Sequence, residues 1–260
     1  MKHLFAVVFL LLANQVHAVG WQNSPKIAEL FSKAGVQGTF VLYDVSANRL
    51  IGHDRVRAET RFIPASTFKI PNSLIGLSVG AVESVTEVLP YGGEPQPFDA
   101  WEKDMGLRDA IKISNVPVYQ ELARRIGLER MRNNVVMMGF GNQEIGTVVD
   151  NFWLVGPLKI SALEQAQFLA RLAQDTLPFS TRDQETVREI VRLEQGDNWT
   201  LHGKTGWVNA PNAGVGWWVG WVKKDNRVYA FALNIDIHQA ADAAKRVELG
   251  MASLRALGVI

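Results

Sequence analysis

The chain has 260 residues, 47% hydrophobic and 20% charged, with 27 basic residues against 26 acidic and no cysteine. That length and balance suit one globular unit with a sizeable core and exclude disordered and fibrous classes. The near-zero charge supports neither a nucleic-acid nor an anionic-membrane partner, and the missing cysteine excludes disulfides, a lipid-anchored cysteine and a thiol nucleophile.

Residues 1–18 open with Lys2, continue through an apolar run over 4–13 and end on Val16-His17-Ala18, small residues before a cleavage point. This is the pattern of a secretory signal peptide, predicting export to the periplasm. The run is too short to cross a bilayer, and nothing later is long enough for a membrane anchor. Lys2 leaves with the leader, so the rest carries 26 basic and 26 acidic residues. A helix follows, with Ser24 as N-cap, Pro25 at its first position, Ile27, Leu30, Phe31 and Ala34 on one face, and Gly35 closing it. Strands over 39–45 and 49–53, joined at Ser46-Ala47-Asn48, predict a hairpin. The middle is mainly helical: Ser161 with Glu164 three residues on makes a capping box ahead of Phe168, Leu169 and Leu172, and a similar start stands near Thr181. β-Rich runs over 216–224 and 227–237 meet at Asp225-Asn226, a second hairpin, and 240–257 has helical periodicity. The expectation is one catalytic domain over 19–260, of α/β (α+β type) class. An antiparallel sheet formed from both chain ends (about 19–60 and 197–260) is flanked by terminal helices, with a helical lobe (about 61–196) inserted.

Three short motifs could carry chemistry. Pro64-Ala65-Ser66-Thr67-Phe68-Lys69 enters an apolar helical run with Pro71 close behind. Three helical residues turn roughly 300° and rise about 4.5 Å, so Lys69 stands beside the Ser66 hydroxyl as a base. Serine needs such a neighbour, and a helix N-terminus offers N–H groups to an oxyanion. A chain of this length nonetheless contains about one S-x-x-K by chance. Lys204-Thr205-Gly206, between Gly203 and Trp207, could hold a substrate carboxylate on an edge strand, and equally spells a glycine turn with a surface lysine. Ser114-Asn115-Val116, ahead of Pro117, could supply a second hydroxyl as proton relay, and equally spells an N-cap. His53, His202 and His238 lack metal-ligand spacing, so no metal is expected.

Together the order S-x-x-K, S-x-V, K-T-G is far more specific than any member. With Phe140-Gly141-Asn142, Trp153-Leu154 and Trp217-Trp218-Val219-Gly220-Trp221, the chain resembles the class D β-lactamases, the oxacillinases, over essentially its whole length after the leader. The resemblance implies the penicillin-recognising serine enzyme fold and hydrolysis of β-lactams. It implies Ser66 as nucleophile and Lys69, carboxylated by carbon dioxide, as general base; no other cofactor is implied. A free amine has a pKa near ~10.4 and attacks carbon dioxide only when neutral, so Phe68, Val116, Trp153 and Leu154 would have to supply an apolar pocket, with Trp153 donating its indole N–H. The N–H groups of Ser66 and Trp207 would form the oxyanion hole. Ser114 would shuttle the proton to the ring nitrogen with Lys204 tuning it, and Lys204, Thr205 and Arg246 would bind the substrate carboxylate beside Gly206. Trp101 would wall the substrate side chain, alone or as packing, and the loop over 208–215 would shape specificity. Many members have tyrosine where this chain has Phe140; relatives with phenylalanine resist chloride, so weak chloride sensitivity is expected. Two other activities share this fold: a penicillin-sensing receptor domain, which stays acylated and is normally attached to membrane helices, and a peptidoglycan transpeptidase or carboxypeptidase, normally longer. The linear sequence marks no interface between copies.

Overall fold

Apolar residues alternating along the strands at both ends of the chain give a sheet with two buried faces, and the rest of the molecule is arranged around it. The computed structural model describes residues 20–210 and 213–260; the leader over 1–18 lies outside them, as do residues 211 and 212. In chain order the elements are β1 (Gly20–Asn23), α1 (Pro25–Ala34), β2 (Gly38–Asp44), β3 (Arg49–His53), α2 (Arg55–Glu59), β4 (Arg61–Phe62), α3 (Lys69–Ser78), α4 (Leu107–Lys112), α5 (Val116–Ile126) and α6 (Leu128–Met138). There follow β5 (Ile160–Ser161), α7 (Ala162–Ala173), α8 (Thr181–Ile190), β6 (Arg192–Gln195), β7 (Trp199–Val208), β8 (Gly214–Lys224), β9 (Arg227–Ile237) and α9 (Lys245–Ala256).

Seven strands form the main sheet in the order β1-β3-β2-β9-β8-β7-β6. β2 pairs with β9, Gly38 opposite Ile235 and Asp44 opposite Tyr229, which joins the hairpins of the two chain ends. The sheet is antiparallel except at its edge, where β1 runs parallel to β3. β6, within the stretch read as helical, completes the opposite edge against β7, and β4 and β5 form a two-stranded ribbon inside the lobe. Between β8 and β9, Asp225 and Asn226 have φ of 47° and 62°, the pair of left-handed residues that a tight hairpin needs and that Asp and Asn tolerate best.

Strand period decides what each face buries. Trp217, Val219 and Trp221 on β8 join the core under the helical lobe, while Trp218 and Val222 join Ile27, Phe31, Leu249 and Leu254 under α1 and α9. Gly250 is part of that fit, since a Cβ there would overlap the Trp218 ring. Each fully buried aliphatic or Phe side chain contributes about 1.5–3 kcal/mol relative to exposure, so the two cores stabilise the sheet from both sides. α1 starts and stops as its sequence predicts, with Ser24 accepting from the Ile27 amide and Gly35 at φ 62°. α7 carries the full Ser161–Glu164 capping box. In the lobe, α3 is buried from Lys69 through Gly76, so a helix bearing a lysine runs through the middle of an apolar core.

Candidate active site

The chain enters α3 through a 3-10 turn, Ala65–Phe68. Ala65 has φ 49°, a left-handed conformation costing an L-residue about 1–2 kcal/mol. Distant elements hold it there. Trp217 Nε1 on β8 donates to the Ile63 carbonyl (2.9 Å) and Gln165 Nε2 on α7 donates to Thr67 Oγ1 (2.7 Å), which itself donates to the Pro64 carbonyl (2.8 Å). The turn is thereby pinned from two sides, and Lys69 Nζ stands 2.9 Å from Ser66 Oγ.

Lys69 is wholly buried. Burial first, and the positive charge of Lys204 second, hold its amine well below the usual lysine range. Its pocket is aromatic. The Phe68 ring stacks on Trp153 at 5.5 Å, with Phe152 and Phe140 edge-on to it. Asn142 folds its loop back on residues 157–159 through three hydrogen bonds of 2.9–3.0 Å, bringing Phe140 and Phe152 under the site. Below lies a floor that sequence reasoning missed. The Tyr119 ring is 5.3 Å from Lys69 Nζ; its hydroxyl donates to Ser73 Oγ (2.8 Å), and Ser73 donates to the Lys69 carbonyl (2.8 Å). The available signal was spacing, Ser73 one turn beyond Lys69 and Tyr119 on the buried face of the helix after Ser114.

β7 brings the second motif. Its outer edge is covered only as far as the Gly203 amide, which donates to the Val191 carbonyl; beyond this, among the described residues, no strand pairs with it. Strand period then turns the amides of Thr205 and Trp207 outward over the same edge, toward the Ala65–Phe68 turn. Gly206 permits the approach: a Cβ there would meet the Pro64 carbonyl at 2.9 Å. Lys204 is 5% exposed and donates to the Thr205 carbonyl (3.0 Å); burial, then Arg246, lowers it to about 7. Arg246 Nη1 donates to the Gly206 carbonyl (3.1 Å), its Nε is buried with no partner among the described residues, and burial lowers its pKa. The two cations and the Thr205 hydroxyl share one end of the cleft, and Trp207, 37% exposed, stands at its rim.

An amine near 7 in the fold and near ~10.4 in the unfolded chain means that the unfolded chain binds more protons between those values. The penalty is fully present below about pH 7 and is relieved as pH rises toward the unfolded value, by up to about 1.4 kcal/mol per unit. The protein should therefore be more resistant to urea at pH 9 than at pH 7, with a smaller gain in Lys204→Met. Equal gains in both proteins would show that the buried amine carries no such cost.

Ser114 follows α4 with φ 59°, and Asn115, not Ser114, caps α5, its Oδ1 accepting from the Val118 amide (3.1 Å). The Ser114 hydroxyl is thus not used as the cap. Val116 opens α5, half-buried, and Leu154, also half-buried, follows Trp153. Trp153 is wholly buried, with no partner for its indole N–H among the described residues. Trp101 donates from Nε1 to the Ile113 carbonyl (3.1 Å). The histidines stay apart: His53 lies against Phe31, and His202 stacks on Trp221, where burial lowers it to about 4.

Residues 38–253 match the family model described as the penicillin binding protein transpeptidase domain. β-Lactamase OXA-5 of Pseudomonas aeruginosa is 41% identical over 233 residues, 88% of this chain and 87% of that protein. β-Lactamase OXA-48 of Klebsiella pneumoniae is 39% identical over 217 residues, 84% and 82% of the two chains. Among solved structures, the class D β-lactamase FUS-1 (OXA-85) of Fusobacterium nucleatum subsp. polymorphum superposes with a TM-score of 0.89 at 43% identity, covering 92% of this chain and all of that one.

Proposed function

Because the chain belongs to the class D β-lactamases, we propose that it hydrolyses β-lactams through an acyl-enzyme on Ser66, with a carboxylated Lys69 as general base for both acylation and deacylation. The observation that carries this reading is the 2.9 Å contact between Ser66 Oγ and a wholly buried Lys69 amine. Buried among rings and facing Lys204, the amine is biased toward its neutral form, the form that attacks carbon dioxide. The buried Trp153 N–H, without a partner, is a donor that a carboxylate oxygen would satisfy. The residues therefore fit the modification, which when present supplies an anionic oxygen base beside Ser66.

Ser66 Oγ attacks the ring carbonyl, and the developing oxyanion sits between the amides of Ser66 and Trp207, fixed dipoles that need no reorganisation. Ser114 passes a proton to the departing ring nitrogen, and Lys204, poised near neutrality, tunes that transfer. Arg246, Lys204 and Thr205 hold the substrate carboxylate; a guanidinium whose Nε–H has no partner among the described residues suits paired hydrogen bonds. Trp101, Val116 and Leu154 line the apolar side of the cleft. No helix among the described residues is long and apolar enough to cross a membrane. Residues 1–18 read as a leader, and the enzyme acts in the periplasm.

The test is turnover of a chromogenic cephalosporin by the purified protein. Multiple turnovers are expected, with activity falling after carbon dioxide is removed at acid pH and returning with bicarbonate. One stoichiometric burst without turnover would instead identify a penicillin sensor, and rates indifferent to carbon dioxide would overturn the carboxylated base.

A further inference from the structure

Ser114 lies in left-handed backbone, φ 59°, at the stop of α4, where its amide donates to the Ile111 carbonyl (3.3 Å) and the Asn115 amide donates to the Ala110 carbonyl (2.8 Å). Trp101 adds one hydrogen bond on each flank, tying this stop to a second segment. Its Nε1 donates to the carbonyl of Ile113, the residue before Ser114 (3.1 Å), and its own carbonyl accepts from Nδ2 of Asn115, the residue after (3.1 Å). Asn115 is wholly buried and its Oδ1 is committed to the α5 cap, so the amide cannot turn away. The tryptophan is itself fixed: it ends a short helical turn, Asp99–Trp101, with its amide on the Phe98 carbonyl (2.8 Å) and the Phe98 ring edge-on at 4.8 Å.

We propose that Trp101 is a positioning residue for the proton-transfer step, its two hydrogen bonds clamping the strained 113–115 segment so that the Ser114 hydroxyl is aimed at the leaving ring nitrogen. This rests on the reading of Ser114 as the proton relay. It also separates two uses of one side chain: an apolar wall needs only the ring face, whereas the clamp needs the indole N–H. A wall acts on substrates with a large side chain, while the clamp acts on every β-lactam.

Trp101→Phe keeps the ring and removes the N–H. The test compares wild type, Trp101→Phe, Ser114→Ala and the double variant by acylation rate on 6-aminopenicillanic acid, which has no acyl side chain to touch a wall. Ser114→Ala is expected to slow acylation about a hundredfold, the scale of one general acid–base group. Trp101→Phe is expected to slow it about three- to tenfold, the rate equivalent of one hydrogen bond. In the Ser114→Ala background it should cost nothing further, because the hydroxyl it positions is gone. Wild-type acylation by Trp101→Phe, or losses that multiply in the double variant, would overturn the clamp and leave Trp101 a wall. Wild-type acylation by Ser114→Ala would instead remove the relay reading on which the clamp depends.

Discussion

Lys69→Ala is expected to lower kcat/KM for a chromogenic cephalosporin by about four to six orders of magnitude, the cost seen when one member of a coupled nucleophile and base is removed. The reason is geometric. Among the described residues, the Lys69 amine at 2.9 Å is the hydrogen-bond partner of Ser66 Oγ, so without it the proton has no acceptor in place. Lys69→Met divides activity from stability. A flexible apolar chain of similar length fills the same space over the Tyr119 ring and removes an amine that, among the described residues, is buried with no carboxylate beside it. Even a neutral amine gives up its hydration when buried, so Lys69→Met should melt at or above wild type freed of carbon dioxide, while hydrolysing nothing. Thermal melts beside steady-state assays check both halves. Residual turnover would show that another group accepts the proton, and a lower melting point would show that the amine's contacts outweigh its burial.

Gly206→Val should lower kcat by about two to three orders of magnitude in a protein that still folds. The added Cβ meets the Pro64 carbonyl at 2.9 Å, Thr67 Cγ2 at 3.1 Å and the Thr67 amide at 3.3 Å. Two of the three are backbone, tied to α7 and β8 through Thr67 and Ile63, so β7 is the element that yields. A shift of roughly 1 Å takes the Trp207 amide away from the oxyanion, and misplacement on that scale or loss of one oxyanion donor costs about 10²–10³ in rate. Overpacking costs about 1–3 kcal/mol of stability, within what a domain of this size tolerates. Stopped-flow acylation compared with Gly206→Ala, the smaller wedge, checks the order: wild type fastest, valine slowest. A valine variant with wild-type kcat would show that close approach of β7 is not required.

What the sequence made legible is what short-range chemistry controls. Ser24, Pro25 and Gly35 mark α1 because caps act within a turn, Ser161 and Glu164 mark α7 in the same way, and Asp225-Asn226 marks a hairpin by its own backbone preferences. The Ser66–Lys69 pair is legible for the same reason, since helical rise alone brings the side chains together. Features made by tertiary contact were not. β1 and β6 are four-residue strands with little burial, and four residues show no period to read. Ala65 and Ser114 adopt positive φ although neither residue type prefers it. The neutral bias of Lys69 comes first from burial in the assembled core and second from Lys204 on β7, and the contact between Arg246 and Gly206 spans 40 positions. Trp101 was read by its area, as large aromatics invite, whereas in the fold its N–H is engaged by Ile113 and its carbonyl by Asn115, on either side of Ser114.

The supports of the nucleophile turn lie far along the chain, Gln165 at 98 positions from Thr67 and Trp217 at 154 from Ile63. Local bonds from Thr67 to the Pro64 carbonyl close the turn, but the Gln165 and Trp217 bonds that brace it form only when α7 and β8 have docked. Such long-range closures are among the slow events of folding, since loop entropy is lost before the contacts return it. Activity that depends on this turn is therefore expected to return late in refolding, with the long-range contacts that brace it. The return of hydrolysis after dilution from denaturant should then follow the docking of α7 and β8 onto the turn, and hydrolysis that returns before that docking would show that the braces are dispensable.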